Sequence, residues 1–161
     1  MIKNKYTVLE LICTAALIAF IIILFVSRAS GGTQKRVKEI AAPVLKVADI
    51  SEMNKKSAAY AAKTFGFDTE KEEGILYYKN DNIMNVSELL IIKLKDPKDA
   101  QEFKTKITER VENQKALFKN YAPDQYSLLE QSIIQTDANT VFYCTAVNAP
   151  EIYDAFKQAL K

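Results

Sequence analysis

The stretch "NVSELLIIKLKDPKD", Asn85–Asp99, decides the fold, because it predicts a strand that is followed directly by the start of a helix. Apolar residues alternate along its first part, which is typical of a strand with one buried face. Asp96 is suited to cap the following helix and Pro97 to occupy its first position. We therefore expect a helix that runs to about Lys119.

Other segments of the chain repeat these two patterns. Helices are predicted near residues 37–48, in "SAAYAAKTFGFD" and in "APEIYDAFKQALK", and strands in "GILYYK", "SIIQT" and "TVFYCTAV". The order is α-α-β-β-α-β-β-α, and its short connections favour antiparallel pairing. The sequence thus predicts an α+β domain with a four-stranded antiparallel sheet and helices packed on one face. The other sheet face is expected to be partly wet, since we assign to it Glu88, Lys93, Lys95, Tyr143 and Thr145.

Residues 1–29 are predicted to be a membrane anchor. The apolar run from Val8 to Val26 is interrupted only by Glu10 and Thr14, and at about 1.5 Å per residue it would span roughly 28 Å. A cleaved signal peptide is the alternative, because small residues precede Ser30. A retained transmembrane helix is favoured, since the apolar run exceeds the usual length of a signal sequence.

The predicted organisation has three parts: an anchor at 1–29, a tether at 30–36 and an extracytoplasmic α+β domain at 37–161. Basic residues flank the apolar run on both sides, so the positive-inside rule does not decide its orientation. The short N-terminal flank before a long C-terminal domain favours a single-pass signal-anchor in the cell membrane, with the domain outside.

Composition excludes several functions. The chain contains no histidine, which removes histidine-dependent nucleophilic catalysis and histidine metal ligation. Its two cysteines, Cys13 and Cys144, do not form a metal-binding spacing. Residues 1–32 hold three of the 22 basic and one of the 20 acidic side chains, so the remainder carries 19 of each. A domain without net charge lacks the excess of basic residues that nucleic-acid binding requires. We also expect no catalytic residue, cofactor or metal.

One cluster near the end of the long helix is a candidate site. Gln114 falls within the apolar stripe of this helix, where a buried amide needs a hydrogen-bond partner. We expect that partner in the backbone of Tyr121–Gln125 or in a tyrosine hydroxyl. The cluster is either a structural clasp, which is favoured, or an exposed interaction patch. Its members are Arg110, Gln114, Phe118, Tyr121, Pro123 and Tyr126.

The segments "SELLIIKLKDPKDAQEF", "RVENQKALFKNYAPDQYSLLE" and "ANTVFYCTA" resemble a family of small bacterial proteins from clostridia and their relatives. The resemblance covers roughly Tyr60 to Leu160 and rests on the Arg110 to Pro123 spacing, on Glu88 and on Asn139. Members carry a domain of unknown function behind a lipoprotein signal or a membrane anchor. The resemblance implies a membrane-tethered extracytoplasmic domain and carries over no activity. This chain departs from the lipoprotein members because it lacks their lipidated cysteine.

Two functional classes follow from these observations. The first is a non-catalytic binding or accessory domain of the bacterial cell envelope, whose partner would be an envelope component or another membrane protein. The second is a hydrolase, anchored or secreted, that works through carboxylates. Its candidate residues are Asp68, Glu70, Glu72 and Glu73, although this run of charges is more typical of solvent-exposed surface than of a catalytic site.

Overall fold

The computed structural model describes residues 13–22 and 33–161. The chain divides between Gly31 and Gly32 into two compact units, and each is described by itself. In the first unit, residues 13–22 form helix α1. The described part of the second unit contains α2 (Val37–Val47), β1 (Met53–Lys56), α3 (Ala58–Phe65), β2 (Glu72–Asn80), β3 (Glu88–Leu94), α4 (Ala100–Phe118), α5 (Pro123–Glu130), β4 (Ile133–Asp137), β5 (Thr140–Thr145) and α6 (Ala149–Leu160).

The five strands form one antiparallel sheet in the order β1-β2-β3-β5-β4. β2 and β3 are joined as a hairpin, and so are β4 and β5. The two hairpins meet where β3 pairs with β5, from Glu88 opposite Thr145 to Lys93 opposite Thr140. β3 is thus the central strand, and all seven of its residues are buried. The α+β class predicted from the sequence is confirmed.

Each face of the sheet has its own apolar core. On one face, Leu90, Ile92 and Tyr143 pack with residues of α3, α4 and α5. On the other face, Leu89, Ile91 and Phe142 pack with α2 and α6. Successive residues of a strand point to opposite faces, so neighbours such as Leu89 and Leu90 contribute to different cores.

The long helix forms as predicted. A short 3-10 turn, Pro97–Asp99, precedes α4, and the side chain of Asp96 accepts a hydrogen bond from the Lys98 amide at 2.9 Å. α4 then continues to Phe118, one residue before the expected end. The apolar residues that recur at helical spacing along it are all buried: Ala100, Phe103, Ile107, Val111 and Phe118.

The prediction of four strands is wrong, because the sheet also contains β1. This strand has the sequence "MNKK" and pairs with β2 along one edge of the sheet. An edge strand is stabilised by backbone hydrogen bonds on one side only and often carries lysines that oppose further pairing. It therefore shows none of the apolar alternation from which the other strands were predicted.

The prediction that helices cover one face only is also wrong. α2 and α6 cover the face that was expected to be wet. The assignment of residues to that face was in error as well, since Tyr143 belongs to the core of the α4 face. Glu88 and Lys93 are buried because each forms an ion pair. Charged residues in a strand suggest an exposed face only when they have no partner within the fold.

The segment after α4, expected to be a loop, forms helix α5. It begins at Pro123, a residue that favours the first position of a helix. With eight residues and a single fully buried apolar side chain, Leu129, it is too short to give a clear helical pattern.

Within residues 13–22 and 33–161, no helix combines the length and the apolar content that a membrane span requires. Most of the predicted anchor, residues 1–12 and 23–29, lies outside the described residues. The anchor therefore stays a prediction.

Candidate functional site

The predicted cluster divides into two groups. Arg110 and Gln114 are half-buried and belong to a group of polar side chains that surrounds the buried Glu88 of β3. Phe118, Tyr121, Pro123 and Tyr126 lie at the junction of α4 and α5. We call the first group the buried polar centre and the second the α4–α5 junction; the buried polar centre comprises Tyr77, Lys79, Glu88, Arg110, Gln114 and Tyr143.

Glu88 lies at the middle of the buried polar centre and is completely buried. Its Oε1 accepts hydrogen bonds from Arg110 Nη2 at 2.7 Å and from Lys79 Nζ at 3.0 Å. Its Oε2 accepts from Arg110 Nη1 at 2.8 Å. The arginine thus binds the carboxylate through two parallel hydrogen bonds, a geometry that compensates a buried negative charge well.

Arg110 also binds Gln114, which lies one turn later on α4. Its Nη1 donates to Gln114 Oε1 at 2.9 Å. The expected partner of Gln114 in the loop after the helix was therefore wrong, because the helix itself supplies the donor. The guanidinium carbon of Arg110 lies 4.7 Å from the centre of the Phe65 ring, within the range of a cation–π contact.

Two buried tyrosines complete the buried polar centre. Tyr143 accepts a hydrogen bond from Thr145 Oγ1 at 3.0 Å, whereas the Tyr77 hydroxyl is buried without a partner among the described residues. Burial, and then the nearby carboxylate of Glu88, raise the pKa of both tyrosines above their ordinary values. Burial alone would lower the pKa of Arg110, but Glu88 outweighs it and the pKa is raised. Both tyrosine hydroxyls are therefore neutral, and the Arg110 guanidinium is charged, at physiological pH.

The α4–α5 junction is a reversal of the chain. Tyr121 stacks on Phe118 with 5.3 Å between ring centres, although more than half of its surface is exposed. The backbone amides of Tyr121 and Ala122 both donate to the Phe118 carbonyl. Pro123 then begins α5, and Tyr126 packs against the apolar core. A hydrogen bond with Glu130 raises the pKa of Tyr126.

Gln125, between these residues, connects α5 to the loop that joins β2 and β3. Its Oε1 accepts from the Val86 amide at 2.9 Å. Asn139, another residue of the sequence resemblance, acts in a similar way, since its Nδ2 donates to the Leu94 carbonyl at 3.0 Å. Gln125 therefore fastens the β2–β3 loop to α5, and Asn139 fastens the β4–β5 turn to β3.

A polar cleft lies at the end of the sheet where β1 begins and where β2 and β5 end. We call it the loop-end cleft; its volume is about 210 Å³. Three segments distant in sequence contribute to it, so no local pattern predicted it. The residues that line it include Asp49, Ser51, Asn80, Asn85, Val147 and Asn148.

The side chains of the loop-end cleft are held by local hydrogen bonds. Asp49 Oδ1 accepts from the amide and hydroxyl of Ser51, and these bonds lower the pKa of its carboxyl. Asn80 and Asn85 each accept from a backbone amide two residues later. Asn148 donates to the Val47 carbonyl at 3.1 Å. These side chains have fixed orientations and retain further polar atoms for a ligand.

A second cleft lies on the opposite sheet face to α4, at the start of α2. We call it the basic cleft; its volume is about 370 Å³. It is lined by basic side chains from α2, β1 and β3 and by the apolar part of β2. The basic residues are Arg36, Lys38, Lys55 and Lys93, and the one acidic residue is Glu73.

The four carboxylates considered for catalysis have separate roles. Asp68 accepts a hydrogen bond from the Glu70 amide at 2.9 Å, and Glu73 accepts from Lys93 at 3.0 Å. Only Asp68 and Glu72 line a common cavity, whose volume of about 10 Å³ is too small for an organic substrate. Burial raises the pKa of Glu72. Among the residues that the structure describes, no group of three or more His, Cys, Asp or Glu could hold a metal ion.

These features define the class of the molecule as an antiparallel α+β domain with a buried polar centre and two open polar clefts. A family model described as "Domain of unknown function (DUF4358)" matches residues 46–146, and the chain belongs to this family. The family resemblance predicted from the sequence is thus confirmed. Comparison with curated proteins and with solved structures gave no match.

Proposed function

We propose that this protein is a non-catalytic binding domain, tethered to the cell membrane of a bacterium and facing the cell envelope. The loop-end cleft is the observation that carries the binding role. It is formed by loops and strand ends at one end of a sheet, a place where binding residues are commonly found because the scaffold beneath them is rigid. Attachment to the membrane is supported by the apolar run in residues 8–26.

The chemistry of the loop-end cleft favours binding over proton transfer. Asp49 is kept ionised by its bonds to Ser51, so it acts as a hydrogen-bond acceptor and not as an acid. The amides of Asn80, Asn85 and Asn148 supply both donors and acceptors. Such a site suits a ligand with several hydroxyl or amide groups, as envelope polymers and polypeptides have.

An anchored or secreted hydrolase is the second candidate, and one observation favours it. Glu72 has a raised pKa and shares a cavity with Asp68, an arrangement that a general acid and its partner require. The small volume of that cavity argues against it, since a substrate would have to displace Phe67 or Phe103.

Photo-crosslinking in living cells tests the binding role. A photoreactive amino acid at Val147, which is 85% exposed and lines the loop-end cleft, should form an adduct of defined size with an envelope component. The same amino acid at Leu117, 65% exposed and close to the α4–α5 junction, tests the alternative interaction patch.

Position Glu109, exposed on α4 and away from both sites, is the control. An adduct from Val147 that is absent from Glu109 supports the proposal. An adduct from Leu117 alone moves the binding surface to the junction. Adducts from neither position, or the same adducts from all three, contradict a binding role for this domain.

A further inference from the structure

We infer that the basic cleft binds a phosphate ester. The described domain has no net charge overall, yet four of its cationic side chains line this one cleft, and only Arg36 and Lys93 have carboxylate partners, Glu39 and Glu73. The cations come from three different elements: Arg36 and Lys38 from the start of α2, Lys55 from β1 and Lys93 from β3. Since like charges repel, their convergence is unfavourable without an anion and favourable with one.

Lys93 is the fixed part of this site. Its side chain is only 6% exposed, and its ammonium donates to Glu73 Oε1 at 3.0 Å. Glu73 is the one acceptor that the described residues give it, although an ammonium has three hydrogens to donate. A buried cation with two unused donors is suited to hold an anion that enters the cleft.

Lys38 and Lys55 are the adjustable part. Both are exposed, and neither has an acidic partner within residues 13–22 and 33–161. Arg36 binds Glu39 through Nε and Nη2, which leaves the hydrogens of Nη1 without an acceptor in the described chain. Lys38 and Lys55 can therefore close over an anion without breaking an ion pair of the described chain, while Arg36 can donate from Nη1 and keep its bonds to Glu39.

The floor of the cleft is apolar. Gly74 packs against Val37, since a Cβ at this position would lie 3.1 Å from Val37 Cγ2. With Leu76, these residues form the apolar part of the cleft lining. A phosphate, whose several oxygens can accept from three or more cations, fits this arrangement better than a carboxylate does. The volume of about 370 Å³ also leaves room for the alcohol part of an ester.

This inference goes beyond the proposed function, since it concerns a different cleft and does not need an envelope partner. The phosphate ester could be a lipid headgroup or a soluble molecule, and both share the chemistry that the cleft recognises. Arg36 is the last residue of the predicted tether, so an anionic lipid is available if the anchor is retained.

Calorimetric titration of the full-length protein in a non-ionic detergent tests the inference. Glycerol 3-phosphate is the soluble probe, and short-chain phosphatidylglycerol in mixed micelles is the lipid probe, with phosphatidylcholine as its neutral control. We expect at least one probe to bind. The double substitution Lys38→Ala with Lys55→Ala should weaken its binding at least tenfold, because it removes two cations from the cleft.

The double substitution Lys98→Ala with Lys119→Ala is the matched control, since both lysines are exposed and lie outside the cleft. It changes the net charge equally and should alter the Kd by less than about twofold. Tighter binding of phosphatidylglycerol assigns the site to a lipid headgroup, and equal binding of both probes assigns it to a soluble ester. Absence of binding by both probes, or equal weakening in the control, overturns the inference. Neither result affects the crosslinks expected from Val147.

Discussion

Glu88 is a charged residue in the interior of the sheet, where an uncompensated carboxylate would be very costly. Arg110 provides a planar guanidinium that matches both carboxylate oxygens, and Lys79 adds a second cation from the neighbouring strand. A lysine at position 110 would keep the charge but would lose the paired hydrogen bonds. The identity of the residue therefore matters here as much as its charge.

Substitution of Glu88 should be among the most destabilising polar changes in the domain. Glu88→Gln keeps the volume but leaves Arg110 and Lys79 without a counter-charge, so we expect a loss of about 3–5 kcal/mol in the free energy of unfolding. Urea denaturation followed by circular dichroism measures this loss. Glu112→Gln is the control, because Glu112 forms an exposed pair with Lys115, and it should leave the midpoint unchanged.

Replacement of both charges distinguishes a charge effect from a packing effect. The double change Glu88→Leu with Arg110→Met removes both charges of the paired hydrogen bonds and leaves only the partly exposed Lys79 without its partner. It should therefore be less destabilising than Glu88→Gln alone. If Glu88→Gln cost less than about 1 kcal/mol, the pair would not be as buried as the structure indicates.

Two residues of this centre, Arg110 and Gln114, were predicted from the sequence, but their partners were not. Gln114 was selected because it interrupts the apolar stripe of α4, and Arg110 lies at the edge of that stripe. The sequence around Arg110 gives no indication that it pairs with Glu88, since the pairing depends on how α4 lies across the sheet. The wrong partner for Gln114 has the same origin, because an arginine one turn away was not considered as its donor.

At the scale of elements, α4 shows how an amphipathic helix stabilises a sheet. Its buried stripe lies against β4 and β5 and shares one apolar core with β3, while its outer face forms ion pairs such as Lys106 with Glu102. The predicted end of this helix was correct to within one residue, whereas its start was expected at Pro97 and lies at Ala100, after the 3-10 turn. β1 and α5 were not predicted, because both are too short to show a clear apolar pattern and are stabilised mainly by neighbouring elements.

Two adjacent residues at the end of α4 give a matched pair of substitutions. Phe118 is 5% exposed and Leu117 is 65% exposed. Phe118→Ala should lower the free energy of unfolding by about 3–5 kcal/mol, because it leaves a cavity and removes the stacking partner of Tyr121. Leu117→Ala should change it by less than about 0.5 kcal/mol. Similar losses for both variants in thermal or urea unfolding would mean that the helix is rotated from the orientation described.

An ion-pair network at the start of α4 should make the folding stability of the domain depend on pH. Hydrogen bonds from Lys71, and then from Lys106, lower the pKa of Glu102 from 4.5 to about 2. Because the pKa is lower in the folded state, the carboxylate stabilises the fold above pH 4.5, and this contribution is lost as the pH falls towards about 2.

Glu102→Gln should therefore lower the Tm slightly at pH 7 and make no difference near pH 2. The effect is small because the side chains of this network are partly exposed. Thermal unfolding at several pH values measures the difference between the variant and the unmodified protein. Glu109→Gln, at an exposed position of the same helix, is the control. A difference that grew on acidification would reverse the assigned sign.

At the scale of the whole molecule, the sheet is covered by helices on both faces, and the clefts lie at its margins. The loop-end cleft collects residues from positions 49 to 148, and the basic cleft from positions 36 to 93. Neither has a local sequence signature, because each arises from the relative placement of distant segments. The sequence predicted the class of the fold but not these sites.

The predicted anchor can be tested on intact cells. We expect the full-length protein to remain with membranes during washing with alkaline carbonate, because a transmembrane helix is held by the hydrophobic effect and not by charge. Protease added to intact cells should remove the domain at 37–161. An intact mass that begins at Ser30, with the protein in the medium, would instead show a cleaved signal peptide. Full protection from protease would place the domain in the cytoplasm.

The pairing of β3 with β5 has a consequence for the speed of folding. Each of these strands first finds a hairpin partner nearby in sequence, β2 for β3 and β4 for β5. The two hairpins then meet across a closed loop of about fifty residues that includes α4 and α5, and closure of such a loop is entropically costly. Docking of the hairpins should therefore limit the folding rate, with the apolar stripe of α4 offsetting part of the cost of closure.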